Sequence, residues 1–166
     1  MKRFKHPFTL VELLCVVIVI ALLAAISVKA TQIAYRRGDD TKTKTILEII
    51  RVANEQYKAK NGYYYPCSDS SAISEGGETY YSLPLDPDFL GDAYETCRAM
   101  SEKNASVIVD AWGNAIRYRS PGKYNTSSFD MYSVGRDQKV GDADDATKQY
   151  AGLGDDIANF KNPKAK

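Results

Sequence analysis

The sequence predicts an α+β protein: a long N-terminal helix, apolar in its first half and amphipathic in its second, packed on a small antiparallel β-sheet that ends in an acidic C-terminal loop. Three observations lead there. Apolar residues crowd the start of the chain, a helical repeat of apolar positions follows them, and alternating, turn-bounded segments begin only after residue 106. At 166 residues there is room for one modest domain, and a net charge of +1 offers no general attraction to nucleic acid. The single histidine, His6, stands in the basic start of the chain. Histidine triads, histidine zinc sites and histidine acid-base chemistry are thereby removed from the folded part.

The first element is a membrane helix. Lys2, Arg3 and Lys5 precede an apolar run from Phe8 to Val28 that is interrupted only by Thr9, Glu12 and Ser27. About 20 apolar residues cross a bilayer, and the basic flank places residues 1–7 in the cytoplasm and everything after the span outside it. Val28-Lys29-Ala30 also offers a small-residue site for a signal peptidase, which would leave a periplasmic protein, binding protein or enzyme, starting at Thr31.

The helical pattern continues over residues 29–60. Ile46, Ile49, Ile50, Ala53 and Tyr57 share one face, with Lys44, Glu48, Arg51, Asn54, Glu55 and Lys58 on others. Asn61-Gly62 supplies a stop and Pro66 follows. Unbroken, such a helix would be a rod of roughly 80 Å. Its weakest point is Gly38-Asp39-Asp40, where a bend or thinning is expected because glycine costs about 1 kcal/mol relative to alanine.

Residues 61–166 make the small domain. Cys67 to Ser106 reads as a long loop with at most a helical turn around Tyr94 to Met100. Strands are expected at Val107 to Val109, around Ile116 to Arg119 and at Phe129 to Val134, with turns at Asp110-Ala-Trp-Gly-Asn114 and Pro121-Gly122. From Gly135 the tail is rich in Asp and Gly and has no periodicity. Cys15 lies in the apolar run, whereas Cys67 and Cys97 fall where an oxidising compartment would let them pair. A bridge there would close a loop for about 3 to 4 kcal/mol on the chain-entropy model, and two separate thiols are the alternative.

Phe8-Thr-Leu-Val-Glu12, opening an apolar helix after a short basic leader, resembles the processing and assembly motif of type IV prepilins. A carboxylate inside a membrane span is a functional hypothesis by default. The resemblance implies that a prepilin peptidase cuts between Pro7 and Phe8, that Phe8 becomes the methylated first residue, and that Glu12 serves assembly. Carboxylate and terminal ammonium would satisfy each other when a neighbouring subunit docks. The family mostly has glycine where this chain has Pro7.

Further motifs are similar, in order, to those of the major pseudopilin of type II secretion: Tyr57-Lys-Ala-Lys-Asn61-Gly62-Tyr-Tyr-Tyr-Pro66, Asp110-Ala-Trp-Gly-Asn114, Phe129-Asp-Met-Tyr-Ser133-Val-Gly135-Arg-Asp137 and Asp155-Asp156-Ile157-Ala-Asn159-Phe160. The resemblance implies a pilin-like fold whose C-terminal loop, 133–160, holds a structural calcium ion. The matching ligands are the side chains of Asp137 and Asp155 with carbonyls of Val134, Lys139 and Leu153, an all-oxygen set of the kind calcium takes. The stretch from Gln138 to Gly154 is longer here than in the family and adds Asp142, Asp144 and Asp145. Also implied are a homo-oligomeric periplasmic filament, minor pseudopilins, and an inner-membrane assembly platform with its cytoplasmic ATPase. A type IV pilin of a surface fibre is the alternative within the same superfamily.

Overall fold

The computed structural model describes residues 10–67, 71–75, 77–101, 106–141, 151–154 and 156–161, with the side chains at 26, 28–30, 32, 33 and 75 also outside the description. Helix α1 runs over Leu10–Asn61 and passes Gly38-Asp39-Asp40 without interruption. Glu12 lies in its first turn and Lys58 and Lys60 in its last, each matching the helix dipole. Its end is the expected one: Gly62, at φ 85°, donates its N–H to the Lys58 carbonyl at 2.7 Å.

The chain forms two compact units, one up to Gly38 and one from Asp39. The expected boundaries at 28/29 and 60/61 follow the bilayer and the helix end, whereas this division follows packing.

In the first unit, the large apolar side chains from Leu10 to Leu23 are all exposed, from 48% at Val16 to 81% at Leu10. Polar groups there are satisfied within the helix, as Ser27 Oγ donates to the Leu23 carbonyl and Thr31 Oγ1 to the Ser27 carbonyl, both at 2.9 Å. Among the described residues no helix is long and apolar enough to cross a membrane; the run from Phe8 to Val28 extends at both ends beyond the described side chains.

In the second unit α1 meets a five-stranded antiparallel sheet in the order β1-β2-β3-β4-β5. The strands are β1 Ala72–Glu75, β2 Glu78–Ser82, β3 Arg117–Arg119, β4 Asp130–Ser133 and β5 Ile157–Ala158. Between β2 and β3 come a short helix α2 (Pro87–Leu90), a 3-10 turn (Gly91–Ala93) and helix α3 (Tyr94–Met100). Ile46, Leu47, Ile50 and Ala53 of α1 are buried against Leu83, Phe89, Leu90, Cys97, Ile108, Ile116, Tyr118, Phe129 and Met131. Fully burying one such aliphatic side chain stabilises by about 1.5 to 3 kcal/mol. The other sheet face carries Tyr80, Tyr132 and Val134, covered by Ala151 and Phe160 of the C-terminal loop. Strand alternation separates the two cores, Met131 facing one and Tyr132 the other.

Several elements differ from expectation. The supposed loop from Cys67 to Ser106 contains the β1–β2 hairpin and α2 as well as the anticipated turn of α3. In β2 only Tyr80 is fully buried, too sparse an apolar pattern to announce a strand; backbone pairing to β3 holds it. Val107 and Val109 make only isolated bridges, to Pro84 and Ala115. The tail contributes β5, paired to β4 through Ser133 and Ile157.

Candidate functional site

Pro7 and Phe8 lie outside the described residues. Glu12 is placed in the first turn of α1 among exposed Leu10, Val11, Leu13 and Leu14.

The second candidate site is the C-terminal loop. Its first arm leaves β4 at buried Val134 and runs to Gly141; its second spans 151–161 and ends on buried Phe160. Asp137 accepts the Lys139 N–H at 2.8 Å through Oδ1, around Gln138 at φ 61°. Leu153 accepts the Asp156 N–H at 3.0 Å on its carbonyl. Asp155, Asp142, Asp144 and Asp145 lie outside the described residues, and among the described residues no three His, Cys, Asp or Glu side chains are grouped to hold a metal. The donors present, a half-buried carboxylate and three carbonyls on two arms packed against one sheet face, are hard oxygens and fit calcium.

The start of that loop is held by residues whose motif was legible but whose task was not. Asp110 is 2% exposed. Its Oδ1 accepts the N–H groups of Trp112 at 2.9 Å and Asn114 at 2.8 Å, and its Oδ2 accepts Asn114 Nδ2 at 3.0 Å and Ser133 Oγ at 2.6 Å. Asn114 Nδ2 also donates to the Gly135 carbonyl at 2.9 Å. One buried carboxylate thus closes its own turn and fixes the chain where β4 becomes the loop. The Ala111 N–H reaches Thr43 Oγ1 of α1 at 3.2 Å, tying the same turn to the helix.

Asp130 repeats the device. It accepts the N–H groups of Lys123, Tyr124 and Asn125 at 2.6, 2.7 and 2.8 Å. Gly122 permits this wrap, since a Cβ there would stand 2.7 Å from Asp130 Oδ1. Asn54, placed by periodicity on a polar face of α1, is fully buried and accepts the Tyr65 N–H at 3.2 Å and the Tyr118 O–H at 3.0 Å. Burial is the chief reason the Tyr118 phenol is pushed far above its ordinary range. Burial and then the hydrogen bond to Asp86 push Tyr65 up to about 12.

Glu78 takes hydrogen bonds from Lys123, Tyr124 and Tyr80. Desolvation is the largest single influence and raises its carboxyl, but those bonds and the Lys123 charge together outweigh it and hold it below its ordinary value. The tyrosines near 63–65 pack as part of the fold: Tyr57, Tyr65 and Phe89 meet edge-on or tilted at 4.3 to 6.1 Å.

The expected Cys67–Cys97 disulfide is corrected. The two sulfurs are not bonded to each other. Cys97 points from α3 into the main core, where burial pushes its thiol up to about 11. Cys67 accepts the Ser120 N–H at 3.2 Å on its sulfur. Cys67 packs at the margin of the same core that buries Cys97.

Comparison with known proteins gives one consistent result. The family model described as type II secretion system (T2SS), protein G, matches residues 89–149. The type II secretion system core protein G of Pseudomonas aeruginosa is 28% identical over 161 residues, covering 97% of this chain and 99% of the relative. The proteins of that name from Vibrio cholerae and Escherichia coli are 27% identical over 166 residues and 28% over 145, covering 96% and 86% of this chain and 96% and 90% of those relatives.

Proposed function

From its relation to core protein G of type II secretion over most of its length, we propose that this protein is a structural subunit of a type II secretion pseudopilus, inserted in the inner membrane through residues 8–28 with residues 29–166 in the periplasm. The observation that carries this reading is the apolar face of α1 from Leu10 to Leu23, exposed along its whole length with Glu12 in its first turn. A contiguous apolar surface of that extent demands lipid before assembly and neighbouring helices after it.

On this reading a prepilin peptidase removes residues 1–7, and Glu12 meets the new Phe8 ammonium of an adjacent copy. An assembly platform with its cytoplasmic ATPase then lifts the subunit into a homopolymer that also includes minor pseudopilins. Calcium would be held by Asp137 and Asp155 with carbonyls of Val134, Lys139 and Leu153, neutralising a stretch where acidic residues outnumber basic ones. The chain's own residues do the rest: Asp110 and Asn114 anchor the first arm at Ser133 and Gly135, and Phe160 anchors the second in the core beneath Tyr132.

The test is the mature N-terminus of the protein isolated from membranes. A methylated chain beginning at Phe8 is expected. A chain beginning at Thr31 would have lost α1's apolar half and would overturn the reading in favour of a secreted periplasmic protein.

A further inference from the structure

We infer that Asp156 is a positioning residue for the calcium loop: its carboxylate draws both ends of the added stretch onto one point beside β5. The link to calcium rests on the function proposed above; the clamp itself rests on the geometry. Asp156 Oδ2 accepts the N–H of Gly141 at 3.0 Å and that of Gly152 at 2.9 Å. Gly141 closes the first arm and Gly152 opens the second, so one oxygen joins the two sides of the insertion.

Gly152 sits at φ 79°, a conformation strained for any side chain. A Cβ on it would also stand 3.0 Å from Phe160 Cε2. The ring that seals the second core thus occupies the space a side chain at 152 would need, and the Gly152 N–H is left turned to Asp156. Hydrogen bonds to a carboxylate are charge-assisted and stronger than neutral ones.

Asp156 also bears on the expected ligands. Its own N–H donates to the Leu153 carbonyl oxygen at 3.0 Å, and it follows Asp155 directly in the chain. The β4–β5 pairing begins at its other neighbour, Ile157. A shift of Asp156 therefore moves a ligand carbonyl and the segment bearing a ligand carboxylate together. Groups that orient metal ligands in this way typically change affinity 10- to 100-fold when removed.

The experiment is calcium titration calorimetry and thermal melting, with calcium and with chelator, on the full chain in detergent micelles, for wild type, Asp156→Ala, Asp156→Asn and Asp137→Ala. Asp156→Ala is expected to lower the midpoint in chelator and to weaken calcium about tenfold or more. Asp156→Asn, which keeps an oxygen to accept both N–H groups, is expected to restore most of both. If Asp156→Asn instead loses calcium as completely as Asp137→Ala with its chelator midpoint unchanged, Asp156 is a ligand and the inference is overturned. Should Asp156→Ala not fold, the Asp156→Asn result decides by the same criterion. A wild type that does not respond to calcium overturns the calcium reading alone; the clamp then stands if Asp156→Ala melts lower in chelator than Asp156→Asn, and falls if the two melt with wild type.

Discussion

Glu12 and Asp110 are both carboxylates carried on apolar stretches of chain, and the two regions around them are completed in different ways. Around Asp110 everything needed is intramolecular: two backbone N–H groups, an amide and a hydroxyl satisfy its two oxygens. Around Glu12 the described unit contributes exposed leucines and valines and a helix that satisfies its own hydroxyls. The buried Asp110 carboxylate is satisfied within the second unit, whereas the first unit presents large apolar side chains that are exposed from Leu10 to Leu23. Burying a charge costs free energy that full hydrogen bonding offsets, as around Asp110; under the proposed function, the carboxylate set in exposed apolar surface would instead be a condition for assembly.

The largest effect should come from the first region. Glu12→Val is expected to leave membrane insertion and the melting of the second unit unchanged while abolishing filament growth, read by electron microscopy of sheared material. Normal filament yield would remove the assembly role, and a lowered melting midpoint would break the separation between the two regions. Asp110→Ala should do the reverse. It leaves the buried Ser133 hydroxyl and three part-buried donors without their acceptor, at about 1 to 3 kcal/mol for each group that stays unsatisfied. Allowing for relaxation, a loss of at least about 3 kcal/mol is expected in denaturant unfolding, and a loss below about 1 kcal/mol would show that water or a neighbour replaces the carboxylate.

A smaller effect sharpens the comparison through pH. Because the folded protein holds the Glu78 carboxyl below its ordinary value, the folded state binds this proton less readily than the unfolded chain. The resulting stability is complete above the ordinary carboxyl range and disappears as pH falls through the lower, folded value. Glu78→Gln should therefore lower the midpoint at neutral pH and flatten the acid limb of midpoint against pH below about 4.5. A variant whose acid limb parallels wild type would show that the Lys123, Tyr124 and Tyr80 contacts do not favour the ionised form.

Local chemistry made much of this readable in advance. The apolar run, the face formed by Ile46, Ile50 and Ala53, the glycine stop at Gly62 and the turn of α3 all follow from neighbours within a few residues, where periodicity and backbone preference act directly. The turn motif Asp110-Ala-Trp-Gly-Asn114 is equally visible as a turn, and the resemblance carried by the later motifs points to protein G of type II secretion, whose family model matches residues 89–149.

What tertiary structure alone decided are the partnerships between residues far apart in the chain. Asn54 looked like a surface residue because a helix pattern shows only which faces are apolar; its burial is set by Tyr65 and Tyr118 arriving from elsewhere. The β1–β2 hairpin is held by ladder bonds to β3, which a weak apolar alternation does not reveal. Cys67 and Cys97 carry no sign in the sequence of their separate surroundings on one core, a hydrogen bond from Ser120 for the first and full burial beneath α3 for the second. Asp110 meets Ser133, and Asp156 meets Gly141, because sheet pairing and core packing bring distant backbone groups together, and no local preference encodes that approach.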